Sequence, residues 1–294
     1  MAKTILDLIG HTPLVESRTL NKNPKVKLLF KLEGHNPGGS VKDRAALNMI
    51  KVGLEKGSIK KNDKIIEATS GNTGIALAMI AGIFGLDIEL VMPENSTKER
   101  VQTMRAYGAK VTLTPTDVGI EGARDYAAAK VHDEGFVMLD QFANEDNWKA
   151  HYKTTGPEIW NDTQKEISHF VSAMGTTGTI MGTSTFLKEK NKAVQIVGVQ
   201  PTDGSKIPGI RKWPKAYLPK IFDANKVDQI FEVSADEAMR MSKRLAKEEG
   251  IFSGMSSGGA AVVALKLADS LSSGTIVSIV CDRGDRYLSS NLFT

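Results

Sequence analysis

Residues 64–93 read KIIEATSGNTGIALAMIAGIFGLDIELVMP, and their pattern of apolar and turn residues predicts the architecture of the chain. Two short apolar runs, KIIEA and DIELVMP, enclose an apolar segment with the length of a helix. Apolar runs bounded by turn residues are typical of strands that are buried on both faces of a sheet. Strand, helix and strand in this order predict two parallel strands that a helix connects.

The same alternation continues on both sides of this unit. Further strand patterns are LLFKLE (28–33), KVTLTP (110–115), HFVSAM (169–174), VQIVGVQP (194–201) and TIVSIVCD (275–282). Helix patterns are the amphipathic run from Lys42 to about Glu55 and the segments 96–108, 119–135 and 177–191. This alternation predicts an α/β fold of doubly wound, mostly parallel sheets with helices on both faces.

The length, the net charge and the cysteine count limit the classes of protein to which the chain can belong. The 294 residues suffice for two domains or for one large α/β unit, and the net charge of +4 is small. Because no block of like charges is present, binding of nucleic acid or of a membrane surface has little support. The only cysteine, Cys281, leaves no partner for an internal disulfide or a multi-cysteine metal site, and no metal is predicted.

The apolar segments also bear on location. The longest of them, GIALAMIAGIFGL, ends at Asp87 and is too short to span a bilayer. The first ten residues lack the basic region and apolar core of a secretory signal. We therefore expect a cytoplasmic protein that binds neither a membrane nor nucleic acid.

Four loops rich in Gly, Ser and Thr precede helix patterns: NPGGSVK (36–42), TSGNTG (69–74), GTTGT (175–179) and SSGG (256–259). In doubly wound sheets ligands bind beyond the carboxyl ends of the strands, so these loops form the candidate site. GTTGT offers N–H groups, hydroxyls and a helix N-terminus to a phosphate, although a plain turn is equally compatible. TSGNTG suits a carboxylate, a phosphate or an N-capped helix, and SSGG is first of all a helix cap.

Lys42 stands at the predicted start of a helix, where a cation faces the unfavourable end of the helix dipole. This placement lowers the pKa of the amine and makes Lys42 a candidate Schiff-base nucleophile, whereas the alternative is a solvated surface lysine. Pyridoxal phosphate needs an amine for its aldehyde, a cradle for its phosphate and a partner for its ring nitrogen. The lysine and the other three loops together can supply all three, so this cofactor is predicted.

Four motifs, NPGGSVKDRA, EATSGNTGIALAM, MGTTGT and GMSSGGA, occur in this order along the chain. In them the chain resembles the fold-type II pyridoxal-phosphate enzymes, and among these the cysteine synthases (O-acetylserine sulfhydrylases). HYKTTGPEIW, SKIPGIRKW and CDRGDRYLS are most similar to the B isoform of that family. The resemblance covers essentially the whole chain.

The resemblance implies two doubly wound domains with the cofactor in the cleft between them. The larger, cofactor-binding domain would comprise residues 1–35 and 146–294. The smaller, mobile domain would comprise residues 36–145 and carry the loop that binds the carboxylate of the amino acid.

The resemblance further implies residue roles. Lys42 would hold the cofactor as a Schiff base and then transfer protons, Asn72 would hydrogen-bond the ring oxygen, and Ser256 would face the ring nitrogen. A hydroxyl at that position would leave the nitrogen largely unprotonated, which favours direct loss of a β-leaving group. The phosphate would be bound by Gly175, Thr176, Thr177, Gly178 and Thr179. The carboxylate of the substrate would be bound by Thr69, Ser70, Gly71 and Thr73, with Gln141 nearby.

The implied activity is β-replacement on O-acetyl-L-serine through an aminoacrylate intermediate, by a homodimer. Sulfide would give L-cysteine and thiosulfate would give S-sulfocysteine. Cystathionine β-synthase, serine/threonine dehydratase and a non-catalytic amino-acid-binding protein are the alternatives. Gly38 and Gly39 would leave room for a nucleophile larger than sulfide. Arg211 would attract an anionic donor or be a plain surface arginine, and Cys281 is expected to be a structural thiol rather than a residue of the site.

Overall fold

The computed structural model describes residues 3–69 and 71–293. Over these residues the strands are β1 (Leu14–Glu16), β2 (Val26–Leu32), β3 (Lys64–Ala68), β4 (Asp87–Pro93), β5 (Lys110–Thr114), β6 (Val137–Met138), β7 (His169–Ala173), β8 (Gln195–Pro201), β9 (Gln229–Val233) and β10 (Gly274–Val280). The α-helices are α1 (Lys42–Lys56), α2 (Asn72–Phe84), α3 (Lys98–Ala106), α4 (Gly119–Glu134), α5 (Glu145–Lys153), α6 (Thr155–Asp162), α7 (Gly178–Lys190), α8 (Ala235–Glu249) and α9 (Met255–Ser270). Short 3-10 helices cover Ile5–Leu8, Glu33–His35, Thr116–Val118, Lys215–Tyr217, Ala224–Lys226 and Gly284–Tyr287.

The strands of this described part form two sheets. The larger sheet has the order β1-β2-β10-β7-β8-β9, and its neighbours run parallel except β1, which is antiparallel to β2. The smaller sheet has the order β5-β4-β3-β6, and its neighbours run parallel. The predicted α/β fold with mostly parallel sheets is confirmed.

The stretch at residues 64–93 forms β3, α2 and β4, as its pattern predicts. The two strands are parallel neighbours, with Lys64 opposite Asp87 and Ala68 opposite Val91. Helix α2 is buried from Thr73 to Ala81 because it packs against α1, α3 and β4. Burial on several sides accounts for a helix without a polar face.

Each sheet packs against its own apolar core. α8 and α9 pack with strands of the larger sheet, whereas α1 and α2 share a core with the smaller sheet. All strands of the smaller sheet come from residues 64–138, which lie inside the segment predicted as the smaller domain. The division of the chain into domains itself stays a prediction.

Among the described residues, no helix is both long enough and apolar enough to cross a membrane.

Candidate active site

A cavity of about 820 Å³ lies between the two sheets, which is in the usual range for a small-molecule site. It brings together nine of the residues predicted from the sequence: Lys42, Asn72, Thr73, Gln141, Gly175, Thr176, Thr179, Arg211 and Ser256. Four other predicted residues belong to the same loops but are not among the described residues that line it: Thr69, Gly71, Thr177 and Gly178. Ser70 lies outside the described residues.

The first turns of four helices, α1, α2, α7 and α9, reach this cavity. Within the described residues the N-cap side chain of none of the four makes a capping hydrogen bond, whereas Asn144 caps α5 and Ser234 caps α8. One first-turn N–H of α1, α2 and α7 is accepted by a nearby hydroxyl, of Ser40, Thr69 and Thr176 respectively. The first N–H groups of a helix have no partner inside the helix, and together with the dipole they attract anions. The cavity is therefore suited to a ligand with acidic groups.

Lys42 is the first residue of α1 and is partly buried. Burial lowers the pKa of its amine, and the nearby Cys281, Asp282 and Glu33 act in the opposite direction. The predicted direction of the pKa shift is confirmed, but its main cause is burial rather than the helix dipole. A larger share of neutral amine, which is the nucleophilic form, is the result.

An ionic network fixes the helix turn that carries Lys42. The guanidinium of Arg44 donates from Nε to Glu33 Oε2 at 2.7 Å and from Nη1 to Glu158 Oε1 at 2.6 Å. Lys31, which is fully buried, pairs with Glu158 at 3.0 Å. Charge-assisted pairs of this kind hold side chains in one geometry, so Lys42 is mounted on a rigid turn.

The loop 175–179 is shaped as a cradle before α7. Thr177 is a non-glycine residue in the left-handed region (φ 69°), and its buried Oγ1 has no hydrogen-bond partner among the described residues. A Cβ at Gly175 would lie 2.5 Å from the carbonyl oxygen of Gly209, so the close approach requires glycine. A strained residue with an unsatisfied buried hydroxyl is typical of a site that binds a ligand.

A buried histidine lies behind this cradle. His151 is hydrogen-bonded through Nε2 to Thr179 Oγ1 at 3.4 Å and through Nδ1 to Thr155 Oγ1 at 2.8 Å. Burial lowers the pKa of His151 to about 3, with Arg44 adding to the effect, so the ring is neutral. The sequence analysis did not single out this residue.

Both polar atoms of the Asn72 side chain are held by the segment that follows β10. Nδ2 donates to Asp282 Oδ2 at 2.6 Å, and Oδ1 accepts from Arg286 Nη1 at 2.7 Å. Tyr287 also donates to Asp282 Oδ2, at 2.6 Å. The sequence analysis missed these partners, although their position after the carboxyl end of a strand was a usable signal.

Two expectations for the floor of the cavity are wrong. Helix α9 begins at Met255, so Ser256 lies inside its first turn and is not its N-cap. Cys281 lines the cavity instead of being a purely structural thiol, because β10 ends one residue earlier. Burial raises the pKa of Cys281 to about 11, so the sulfur is a neutral thiol.

The loop 69–74 is organised by its own threonines. Thr69 Oγ1 accepts hydrogen bonds from the N–H groups of Gly71 at 3.1 Å and Gly74 at 3.0 Å. Thr73 donates from Oγ1 to Gln141 Oε1 at 2.7 Å, and both residues line the cavity. Thr69 therefore shapes the loop, and Thr73 presents a hydroxyl at the cavity wall.

The two glycines before α1 do not open space for a larger nucleophile, so that expectation is wrong. A Cβ at Gly38 would lie 2.6 Å from Asp43 Oδ1. Gly39 is in the left-handed region (φ 78°), and its Cβ would collide with the guanidinium of Arg286. Both glycines are needed because charged side chains fill the space beside them.

Arg211 lines the cavity, but it is not an isolated charge. Its Nη1 lies 3.2 Å from Glu121 Oε1, and 43% of its side chain is exposed. The neighbouring Lys212 pairs with Asp203 at 2.8 Å and with Glu232 at 2.7 Å. The positive potential at the entrance is thus partly neutralised.

Known proteins are similar to this chain over almost its whole length. The profile of the family described as "Pyridoxal-phosphate dependent enzyme" matches residues 5–282. The chain belongs to this family. It is also 56% identical over 290 residues to cysteine synthase B of Pseudomonas aeruginosa, which covers 99% of this chain and 97% of that relative.

Solved structures of this pyridoxal-phosphate family agree with the sequence comparison. Cysteine synthase of Entamoeba histolytica superimposes with a TM-score of 0.94 at 37% identity, covering 100% of this chain and 91% of that one. An O-acetylserine dependent cystathionine beta-synthase of Helicobacter pylori superimposes with a TM-score of 0.91 at 36% identity, covering 100% and 99%.

The residues around the cavity fit the cofactor of the pyridoxal-phosphate family. Lys42 supplies an amine of lowered pKa for the aldehyde. The start of α7 and the hydroxyl of its N-cap residue Thr177, which has no partner among the described residues, suit a phosphate group. No cluster of side chains that could hold a metal ion is found in the described ranges.

Proposed function

We propose that this pyridoxal-phosphate-dependent enzyme is a cysteine synthase of the B type, which replaces the acetoxy group of O-acetyl-L-serine by sulfur. Sulfide gives L-cysteine and acetate, and thiosulfate gives S-sulfocysteine and acetate. The observation that supports this most is the cavity that joins a lysine of lowered pKa to the N-termini of four helices. The high identity to a cysteine synthase B supports the choice within the family.

The chain binds the cofactor at three points. The N-terminus of α7 and the loop Gly175–Thr179 would hold the phosphate, Asn72 would donate to the ring oxygen, and Lys42 would supply the amine for the aldehyde. Asp282 and Arg286 fix the amide of Asn72, which leaves one N–H of Nδ2 for the ring oxygen. When bound, pyridoxal phosphate withdraws electrons from the amino acid and makes its α-hydrogen acidic.

The substrate carboxylate lies against the loop at the start of α2. Its partners are Thr69, Ser70, Gly71, Thr73 and Gln141. The first-turn N–H groups of this helix that Thr69 does not bind, together with the adjoining hydroxyls, stabilise the negative charge. This arrangement aims the β-carbon into the cavity, where a sulfur nucleophile enters as acetate leaves.

Lys42 and Ser256 divide the proton chemistry. The neutral amine of Lys42 accepts the α-hydrogen as a proton and later returns it, which its lowered pKa favours. Ser256 faces the ring nitrogen with a hydroxyl, which carries no formal charge that would hold a proton there. Cys281 beside it is also uncharged, because burial raises its pKa to about 11.

A donor panel tests the proposal. The purified holoenzyme is incubated with O-acetyl-L-serine or O-phospho-L-serine and, in turn, with sulfide, thiosulfate or homocysteine, and the products are identified by mass. We expect cysteine and S-sulfocysteine from O-acetyl-L-serine. Formation of cystathionine alone would assign the chain to the activity named for the Helicobacter pylori structure, and no product from any pair would contradict an enzymatic role.

We further propose that the enzyme is a homodimer in the cytoplasm. Each subunit would have a larger domain of residues 1–35 and 146–294 and a smaller, mobile domain of residues 36–145. Sedimentation of the holoenzyme measures the oligomer directly. A monomer at micromolar concentration would contradict the homodimer without affecting the proposed reaction.

A further inference from the structure

Glu67, on β3, carries a buried carboxyl group for which no ion pair is found among the described residues. It is 2% exposed. Oε2 accepts the N–H of Asp140 at 2.9 Å, and Oε1 accepts the N–H of Gln141 at 3.1 Å. A carboxyl group is seldom placed in such surroundings, since its burial is costly unless its oxygens are hydrogen-bonded. Burial raises the pKa of Glu67 to about 8 despite these bonds.

The two N–H groups belong to a turn with an unfavourable backbone. Asp140 has a φ of 50°, in the left-handed region that a non-glycine residue seldom adopts. This conformation lets two consecutive amides point at one carboxyl group. Glu67 thus stabilises a turn that the backbone alone would avoid, and such strain is usually kept for a function.

The turn places the side chain of Gln141 at the cavity wall. Its Nε2 donates to the carbonyl oxygen of Ala68 at 2.8 Å. A carbonyl oxygen only accepts, so the amide oxygen of Gln141 must face the other way, where it accepts from Thr73 Oγ1 at 2.7 Å. The orientation of the Thr73 hydroxyl is therefore set by Gln141.

A second anchor holds the same turn from the side of the larger sheet. Asn147 on α5 donates from Nδ2 to the carbonyl oxygen of Gln141 at 2.7 Å and to Thr176 Oγ1 at 3.1 Å. With this anchor intact, loss of the contact to Glu67 displaces the turn and its side chain but leaves the sheet in place. The effect of a substitution at Glu67 on this turn can therefore be distinguished from unfolding of the protein.

We propose that Glu67 is a positioning residue for the amino-acid substrate. By holding the turn at Asp140 and Gln141, it fixes the Gln141 amide at the cavity wall, where the oxygen accepts from Thr73 and the second N–H of Nε2 is left to donate to the substrate carboxylate. The inference rests on the proposed function, because it takes the amino acid to bind at Thr73 and Gln141. Glu67 itself touches neither substrate nor cofactor.

The test compares two isosteric substitutions in neighbouring strands. Glu67→Gln puts an NH2 group where one backbone N–H needs an acceptor. Glu89→Gln is the matched control, because Glu89 is 3% exposed and lies opposite Ile66, but its carboxylate binds Lys110 and Thr112 instead of the turn. Each holoenzyme is assayed for bound cofactor, for thermal unfolding, and for KM and kcat with O-acetyl-L-serine.

A ligand titration separates positioning from general damage. L-alanine has the carboxylate and amine of the substrate but no leaving group, and ethylamine lacks the carboxylate. In Glu67→Gln we expect the KM for O-acetyl-L-serine and the dissociation constant of L-alanine, read from the cofactor absorbance, to rise about tenfold. The dissociation constant of ethylamine, the cofactor content and the behaviour of Glu89→Gln should stay close to those of the unchanged enzyme.

A double variant tests the route through Gln141. Because Glu67 acts through that side chain, Glu67→Gln should add little to the loss already caused by Gln141→Ala. The inference would be overturned if the losses of affinity caused by Glu67→Gln and Gln141→Ala added in full in the double variant. It would also be overturned if Glu67→Gln lost affinity for L-alanine and for ethylamine equally. If the unchanged holoenzyme failed to use O-acetyl-L-serine at all, the proposed function would fall first, so the two failures are distinguishable.

Discussion

At the scale of single residues, burial favours the uncharged form of several groups in and behind the cavity. It lowers the pKa of Lys42, lowers that of His151 to about 3 and raises that of Cys281 to about 11. A buried charge is expensive, so each group is driven toward its neutral form. The result is a site in which an amine is available as a nucleophile and as a base.

Replacing Lys42 by Ala should abolish the covalent attachment of the cofactor and nearly all turnover, because the other lysines of the described wall, Lys206 and Lys212, lie in the loop after β8. Lys212 is moreover paired with Asp203 and Glu232. Borohydride reduction followed by peptide mass analysis measures the attachment. Lys51→Ala, on the exposed side of the same helix, is the control and should retain the adduct at Lys42. An unchanged visible spectrum in Lys42→Ala would contradict the assignment.

Replacing Ser256 by Asp should place an anion beside the ring nitrogen and favour its protonation. We expect the cofactor to stay bound, its absorbance to shift and the release of acetate from O-acetyl-L-serine to slow. Stopped-flow absorbance measures the last effect. Ser256→Ala removes the hydroxyl without adding a charge, so it separates the effect of losing the hydroxyl from the effect of the new negative charge. If Ser256→Asp had the spectrum and the rate of the wild type, this serine would not face the ring.

Sequence alone could locate residues whose signal is local. Lys42 and three of the glycine-rich loops were found because strand-to-helix loops carry ligands in this fold. Glu67, Asp282 and Arg286 were not, since their importance comes from contacts across the fold: Asn72 and Arg286 are 214 residues apart in the chain. Gly38 was misread because only the folded chain reveals Asp43 beside it.

At the scale of elements, the first turn of α1 depends on a pair of buried carboxylates around Arg44. Replacing Arg44 by Met should leave the buried Glu33 without its cation and Glu158 with Lys31 alone, and should lower the free energy of unfolding by about 3–5 kcal/mol. Arg244→Met is the matched control, because its partner Glu248 lies one turn away on an exposed helix face, and it should cost only about 0.5 kcal/mol. Urea unfolding measures both, and equal losses would contradict the role of the network.

A strand was predictable from the sequence where both of its faces are buried. β4 is buried over six of its seven residues and appears as a continuous apolar run. β9 is an edge strand with most of its residues partly or fully exposed, so no such run marks it. β1 has three residues and pairs antiparallel, which is too short for a periodic signal.

At the scale of the whole molecule, His151 makes stability depend on pH. Its pKa is about 3 in the folded chain against an ordinary value of 6.5, so between these values the unfolded chain binds a proton that the folded one does not. The contribution of His151 is therefore complete above about pH 6.5 and is lost as the pH falls toward 3. Asp43 and Glu67 act in the opposite direction, because burial raises the pKa of each to about 7 and 8.

The difference between the wild type and His151→Gln isolates this contribution. We expect the difference in the free energy of unfolding to shrink as the pH falls from 7 to 4, since glutamine does not titrate. Denaturant unfolding of both proteins at several pH values measures it. A difference that does not vary with pH would contradict a neutral buried histidine.

The charge at the entrance between the two sheets bears on the proposed use of two sulfur donors. Although Arg211 is paired with Glu121, it remains partly exposed at the cavity, so Arg211→Ala should depress the thiosulfate reaction more than the sulfide reaction, by a few-fold. Added salt should do the same, because screening weakens attraction of a divalent anion. Arg240→Ala, on an exposed part of α8, is the control. Equal loss with both donors would remove Arg211 from donor selection.

The position of β10 has a consequence for the newly made chain. β10 lies between β2 and β7 and joins strands that are translated long before it, and the residues after it hold Asn72. The smaller sheet is contiguous in sequence and can form while synthesis continues, whereas the larger sheet stays divided until its central strand leaves the ribosome. Until then the edges of β2 and β7 that β10 will cover are open to pairing with other chains. The same interval sets the earliest moment at which a nascent chain can capture its cofactor.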